Sequence, residues 1–167
     1  IPLFNIYLNE ADELSRRLGV ELAEWSMELH RPLGESAASL AHSLAGSSAT
    51  VGFADLSQLA RALEHALLRA QAREHVDADE ARLYVEVSDE IRHLLHQFAA
   101  GFLKEAPAVL FERLAAIEIE ADRRQLAEAT AVEETAGEDF AGAMGVDDAI
   151  VEDFGVAPTA PAPLSDL

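Results

Sequence analysis

The chain of 167 residues contains no cysteine. This absence excludes disulfides, thiolate catalysis and zinc sites built on cysteine, and it suits the cytoplasm. No uninterrupted apolar run reaches the roughly 20 residues that span a bilayer, and the N-terminus shows neither a start methionine nor a signal-peptide pattern. We therefore expect a cytoplasmic domain that is a fragment of a longer protein.

Basic residues are also scarce. The chain has 12 Lys and Arg and 31 Asp and Glu, which gives a net charge of −19 at pH 7. Residues 1–117 carry 18 acids and 10 bases, and residues 118–167 carry 13 acids and 2 bases. Nucleic acids and anionic membranes both require a basic face on the protein that binds them. Neither is expected as a partner, and a basic patch on another protein is expected instead.

Strand signals are weak throughout, whereas apolar residues recur at helical spacings, which predicts an all-α fold. The predicted helices span about residues 2–29, 32 or 34 to 50, 55–74, and 77 or 79 to 101. Pro32 ends the first helix, because a residue that precedes proline is pushed out of the α region, and Gly52 closes the second. Four helices with short connections are typical of an antiparallel four-helix bundle.

The sequence after the fourth predicted helix indicates one further helix and a tail. Residues 106 to about 134 are rich in helix formers with a partial apolar stripe. Acids, Ala, Gly and then Pro follow, which favours a solvated linker. The expected organisation is a bundle over 1–104, an additional helix over 105–134 and a flexible acidic linker over 135–167. The stretch 147–156 within the linker is interpreted as a docking segment, a helical turn or plain linker.

The second predicted helix carries a histidine on the side opposite its apolar stripe. The stripe is roughly 100° wide and His42 lies about 150° from its centre. Gly46 lies beside His42 one turn on, although glycine costs about 1 kcal/mol relative to alanine in a helix. Such a glycine is explained if another surface must approach the imidazole closely. Ala38, Ala45 and Ala49 flank the histidine on one side, and Ser39 and Ser43 add mild polarity on the other. The alternative is an ordinary surface histidine on a helix rich in Ala, Ser and Gly.

The third predicted helix offers two side chains to this histidine. Arg61 and Glu64 follow His42 by 19 and 22 residues, and an antiparallel hairpin that turns near Gly52 brings both to its level. A carboxylate that accepts the Nδ1 proton fixes the tautomer and makes Nε2 the nucleophile. The alternative for Glu64 is a solvated acid on a helix face.

The run His42-Ser43-Leu44-Ala45-Gly46-Ser47-Ser48, with Val51-Gly52-Phe53 and Leu63-Glu64 after it, resembles the histidine phosphotransfer (Hpt) domain of phosphorelays. The signature of that family is H-x-L-K-G-x-x-x-x-x-G. Residues 6–18 are similar to the first helix of the CheA type, and the likeness extends over about residues 3–100. With its Ala-rich composition and acidic Pro/Ala tail, the chain looks most like one Hpt module of a CheA-like multidomain hybrid kinase, of the kind that controls type IV pili and twitching motility.

The resemblance implies a role for each site residue. His42 would be the phosphoacceptor and Glu64 the glutamate that orients its imidazole. Gly46, with Ser39, Ala45 and Ala49, would form the face that docks a kinase or receiver domain. One position departs from the family, because the lysine expected three residues after the histidine is Ala45. Arg61 is the candidate cation that would replace it.

The function implied is that of a phosphorelay intermediate. His42 would accept a phosphoryl group from a histidine kinase catalytic domain and pass it to an aspartate of a response-regulator receiver domain. The domain would have no catalytic activity or cofactor of its own, since ATP and Mg²⁺ belong to the partner domains, and the parent protein would be a sensor histidine kinase. The alternative is a degenerate scaffold that is not phosphorylated and serves as a helical protein–protein module.

A metal-binding bundle is a rival from another class. Glu90 and His93 form one E-x-x-H pair, and His96 lies three residues further on. Carboxylate di-iron bundles need two such pairs with two further inward glutamates, and the second pair is missing. We therefore expect His93 and His96 to be solvated surface residues.

Overall fold

The computed structural model describes residues 2–154, and within them the side chains of residues 4–138. The described chain forms five helices: α1 (Pro2–Met27), α2 (Glu35–Thr50), α3 (Ala54–Gln71), α4 (Ala78–Ala99) and α5 (Ala108–Phe154). No strand occurs in this part of the chain. The prediction of an all-α fold is therefore confirmed, with the first four helices within three residues of their predicted bounds.

The first four helices form a bundle in which each helix has two neighbours. Helix α1 packs against α2 and α4, and α3 packs against the same two helices. Large apolar side chains from all four helices and from the α2–α3 turn fill the interior; among them are Leu18, Leu44, Phe53, Leu63 and Ile91, each less than 2% exposed. The predicted four-helix bundle is thus confirmed, and its core holds α2 and α3 rigidly side by side.

A tight turn sets the register between α2 and α3. Gly52 has φ of 82°, a left-handed conformation that glycine adopts without strain. The Phe53 amide donates to the Ser48 carbonyl over 2.9 Å, and the Phe53 ring is buried and stacked on Phe98 with centroids 4.7 Å apart. The Tyr7 and Ser48 hydroxyls share a buried hydrogen bond of 2.7 Å, which ties α1 to the same turn. Neither helix can slide along the other without breaking these contacts.

A buried ion pair fixes the α3–α4 connection. Arg73 binds both carboxylate oxygens of Glu80, whose side chain is only 5% exposed. The Tyr84 hydroxyl donates to the same carboxylate over 2.5 Å. Asp77 caps α4 by accepting from the Glu80 amide over 2.8 Å. The Glu80 carboxylate is therefore satisfied by three donors, which the low dielectric of its surroundings requires.

Both tyrosines of the chain should make stability fall in alkali. Burial raises the pKa of Tyr84, as does its hydrogen bond to the Glu80 carboxylate, and burial raises the pKa of Tyr7. The folded state thus favours the neutral phenols, so their contribution is complete below about pH 10, the unfolded pKa, and is lost above it. We expect the free energy of unfolding to fall above this pH, and the contribution of Tyr84 alone approaches about 1.4 kcal/mol per pH unit. Urea titrations between pH 9 and 11.5 would measure the slope. Tyr84→Phe should reduce it, and an unchanged slope would contradict this account.

Helix α5 begins against α3 and α4. The Ala106 amide donates to Asp55 Oδ1 over 3.0 Å, and Arg113 binds Glu86 over 2.8 Å. Leu110 and Leu114 are buried with the core. The start of α5 therefore belongs to the same compact unit as the bundle, which covers residues 1–120.

A second unit begins at residue 121. Helix α5 continues to Phe154, past residue 134 and into the segment interpreted from the sequence as linker. Its residues are mostly helix formers, with no proline between Pro107 and Pro158. The predicted division at 104 and 134 stays a prediction. Residues 155–167, and the side chains of the stretch 147–156, lie outside the described residues. None of the helices described is long and apolar enough to cross a membrane.

Candidate functional site

The side chains of His42 and Glu64 meet at the α2–α3 face. His42 Nδ1 lies 2.8 Å from Glu64 Oε1. The histidine side chain is 75% exposed, whereas that of the glutamate is 15% exposed. A carboxylate only accepts hydrogen bonds, so Nδ1 carries the proton of the neutral imidazole and Nε2 keeps its lone pair. Among the described residues Nε2 has no hydrogen-bond partner. The arrangement presents a free imidazole nitrogen to an incoming electrophile.

Packing around this pair explains the short distance. The Ser57 hydroxyl donates to the Ala45 carbonyl over 2.7 Å, which clamps the two helices one turn from His42. Leu44 and Leu63, next to the site on each helix, are fully buried. Glu64 follows Leu63, so its stem lies at the helix interface while its carboxylate reaches the histidine. The helix register expected from the turn at Gly52 is the one the structure has.

His42 and Glu64 line an open cavity of about 580 Å³. Its other lining residues are Glu35, Ala38, Ser39, Ser43, Leu68 and Gln71. Ser39 is exposed beside the histidine, as expected from the sequence. Leu68 is 49% exposed and was missed by the sequence analysis, although it lies one turn after Glu64 on the same face. Leu68 therefore adds an exposed apolar side chain to a cavity that is otherwise lined mostly by polar residues.

The placement of Ala38 and Ala45 on the exposed face is wrong. Both are buried, with 5% and 2% of the residue exposed, because α2 is covered by α1 on one side and α3 on the other. The buried arc of α2 is therefore wider than a single stripe. Gly46 and Ala49 are exposed, as expected. A Cβ added at Gly46 would meet no atom within 4 Å. Nothing inside the described chain accounts for a glycine at that position.

Arg61 lies apart from the histidine, in a second cavity. This smaller space of about 250 Å³ is also lined by Ala49, Gly52 and Gln58 at the α2–α3 turn. The guanidinium is exposed and, within the described part of the chain, has no hydrogen-bond or ion-pair partner. The structure therefore brings Glu64 to His42. It places Arg61 on the adjoining surface, without a hydrogen-bond or ion-pair partner among the described residues.

The α2–α3 hairpin is the least acidic part of the bundle. Residues 35–71 hold the acids Glu35, Asp55 and Glu64 and the bases Arg61 and Arg69. This near balance contrasts with the net charge of −19 of the whole chain. The hairpin therefore carries less net negative charge than α1 or α4, although the two charged residues that line the cavity with His42, Glu35 and Glu64, are both acids.

The residues of the rival metal site are not brought together. His93 is exposed, and Ile91 between it and Glu90 is buried in the core. His96 Nε2 lies 3.3 Å from Asp12 Oδ1 on the surface. Within the residues the structure describes, no group of three or more His, Asp or Glu is placed to hold a metal ion.

Comparison with known proteins gives one family. Residues 2–101 match the family model described as Hpt domain. The match spans α1 to α4 with both His42 and Glu64, and it ends before α5. No curated protein matches the chain.

Proposed function

The chain belongs to the Hpt domain family, whose members carry phosphoryl groups in two-component signalling, and on that premise we propose that His42 is the phosphoacceptor. One observation carries the proposal. Glu64 Oε1 accepts a hydrogen bond from Nδ1–H, with 2.8 Å between the two heavy atoms, while the histidine side chain is 75% exposed, which leaves Nε2 both nucleophilic and accessible.

The chemistry requires little of this domain. Nε2 attacks the γ-phosphoryl group of ATP held in a kinase catalytic domain, a P–N bond forms, and ADP leaves. An aspartate oxygen of a receiver domain then attacks the phosphorus, and the P–N electron pair returns to Nε2. In-line phosphoryl transfer depends on positioning and electrostatics. A rigid helix that presents His42 suffices on this side, while ATP and Mg²⁺ are bound by the partner domains.

The docking face is proposed to include Ser39, Gly46, Ala49 and Leu68. These residues surround His42 on the open side of α2 and α3, and Gly46 leaves room for a partner backbone. The acidic surface away from the hairpin would attract basic residues at the edge of the partner's binding surface and so set the partner's orientation. The same face would serve the kinase and the receiver in turn, because both must reach Nε2.

The parent protein is proposed to be a CheA-like hybrid histidine kinase of the type that controls type IV pili, acting in the cytoplasm. The likeness of residues 6–18 to the CheA-type first helix and the acidic Ala/Pro tail support this assignment. The bundle over 1–104 would then be one module, with residues 105–134 and 135–167 leading to the next.

Arg61 is proposed to supply the cation that Ala45 does not. The guanidinium is exposed, uncommitted among the described residues and on the helix that carries Glu64. A solvent-screened contact of this kind is worth about 1 kcal/mol or less. We expect Arg61→Ala to lower the rate of phosphotransfer to His42 about threefold to fivefold, measured with a CheA-type kinase core and labelled ATP. Arg82→Ala, on α4, is the matched loss of an exposed arginine, and equal rates for the two variants would contradict this role.

The proposed function is tested by incubating the domain with the same kinase core and labelled ATP. The wild type should acquire a label that is labile in acid and stable in base, as phosphoramidates are, and His42→Gln should acquire none. A folded wild-type domain that stays unlabelled would instead favour the scaffold.

A further inference from the structure

The contact between Glu64 and His42 has a consequence for the phosphorylated state. The carboxylate lies 2.8 Å from Nδ1, and only 15% of its side chain is exposed, so packing between α2 and α3 holds it in contact with the ring. We propose that Glu64 also controls the departure of the phosphoryl group, by keeping Nδ1 protonated after Nε2 is phosphorylated. This inference rests on the proposed function and adds to it. The environment of His42 favours release of the phosphoryl group at neutral pH as well as its acceptance.

The leaving group decides how readily the P–N bond breaks. Once Nε2 is bonded to phosphorus, the ring is cationic if Nδ1 keeps its proton and neutral if it does not. Cleavage of the cationic form returns the P–N electron pair to Nε2 and gives neutral imidazole with its Nδ1–H intact. Cleavage of the neutral form expels an imidazolate anion, a far poorer leaving group. The attacking oxygen comes from an aspartate carboxylate or from water, whose proton passes to solvent.

The charges that face the ring favour the cationic form. Glu64 on α3 is in direct contact, and Glu35 lines the same cavity two turns away on α2. Arg61 lines the neighbouring cavity. From α1, Glu21 accepts a hydrogen bond from Ser36 at the start of α2 over 2.7 Å, and α4 does not pack against α2. The dominant field at Nδ1 is thus that of the touching carboxylate, which stabilises a positive charge.

The test compares the wild type with Glu64→Gln, which keeps an oxygen acceptor for Nδ1 but removes the charge. Both proteins are loaded with potassium phosphoramidate, whose bond to ammonia breaks as the bond to Nε2 forms, so that no kinase is needed. After the donor is removed, ³¹P NMR follows the loss of phosphoryl groups between pH 6 and 9, and the resonances that also appear in identically treated His42→Gln, which come from the other exposed histidines, are subtracted. The two proteins should lose the phosphoryl group of His42 at similar rates at pH 6. At pH 8 the variant should retain it about fivefold longer, because it lacks the carboxylate in contact with Nδ1 that favours the protonated ring.

Two further variants keep the outcome interpretable. Glu35→Gln removes the same charge from the same cavity without touching Nδ1, and its rates should stay within about twofold of the wild type. Glu64→Asp keeps the charge at a longer distance and should be intermediate. Superimposable pH profiles for the wild type and Glu64→Gln would overturn the inference while leaving the proposed function standing. Failure of phosphoramidate to place any phosphoryl group on His42 would count against the proposed function itself.

Discussion

Replacing Gly46 by leucine is expected to block exchange of phosphoryl groups between His42 and a partner domain while leaving His42 reactive. A Cβ at this position meets nothing within 4 Å inside the protein, so the substitution is accommodated by the fold. Its side chain would occupy the space through which a partner approaches the imidazole. Because a misplacement of 1 Å costs about 100-fold in rate, we expect transfer from a kinase to fall at least about 100-fold.

Two measurements separate docking from chemistry. Loading of Gly46→Leu by phosphoramidate, a donor too small to touch residue 46, should stay close to that of the wild type. Gly137→Leu is the matched control, since a Cβ there also meets nothing within 4 Å, and its kinase-dependent labelling should be unchanged.

Gly46→Ala should raise the free energy of unfolding by about 1 kcal/mol. A Gly46→Leu domain that accepts phosphoryl from a kinase at the wild-type rate would show that no partner surface passes over this position.

Truncation of Arg73 to alanine is expected to destabilise the bundle by about 3 kcal/mol. The substitution leaves the Glu80 carboxylate buried, with 5% of its side chain exposed, and without its cation. Urea denaturation monitored by Trp25 fluorescence would measure the loss, because Trp25 stacks on Tyr84 next to the pair. The matched control is Arg82→Ala, whose ion pair with Asp79 is exposed and should be worth less than about 1 kcal/mol.

A triple variant distinguishes the cost of an orphaned charge from the worth of the pair. Arg73→Leu combined with Glu80→Leu and Tyr84→Phe removes both charges together with the hydroxyl that donates to Glu80, so its stability should return to within about 1 kcal/mol of the wild type. Equal destabilisation by Arg73→Ala and Arg82→Ala would contradict the account of the α3–α4 connection.

Much of the fold was predictable because helical periodicity and turn residues are local signals. The spacing of leucines and the turn at Gly52 predict α2 and α3 together with their register, and that register alone places Glu64 opposite His42. Residues beyond the register were harder to place. The burial of Ala45 depends on α1 as well as α3, and a helical wheel of α2 contains neither neighbour.

Charged and apolar residues on helix surfaces were the least predictable. Leu68 looks like any exposed leucine in the sequence, and only the position of His42 across the helix pair makes it part of the site. No motif or apolar periodicity in the sequence singles out Arg73, Glu80 and Tyr84. Their joining into one buried network requires the geometry of the α3–α4 connection, which sequence spacing does not encode.

The most direct measurement is the position of the phosphoryl group on the ring. The domain, labelled with ¹⁵N in its six histidines, is phosphorylated by a kinase core, and ³¹P–¹⁵N coupling identifies the nitrogen that bears phosphorus. We predict one coupled nitrogen, the Nε2 of His42, with the proton retained on Nδ1 and no coupling in His42→Gln. Coupling to Nδ1, or to a histidine that remains phosphorylated in His42→Gln, would contradict the account.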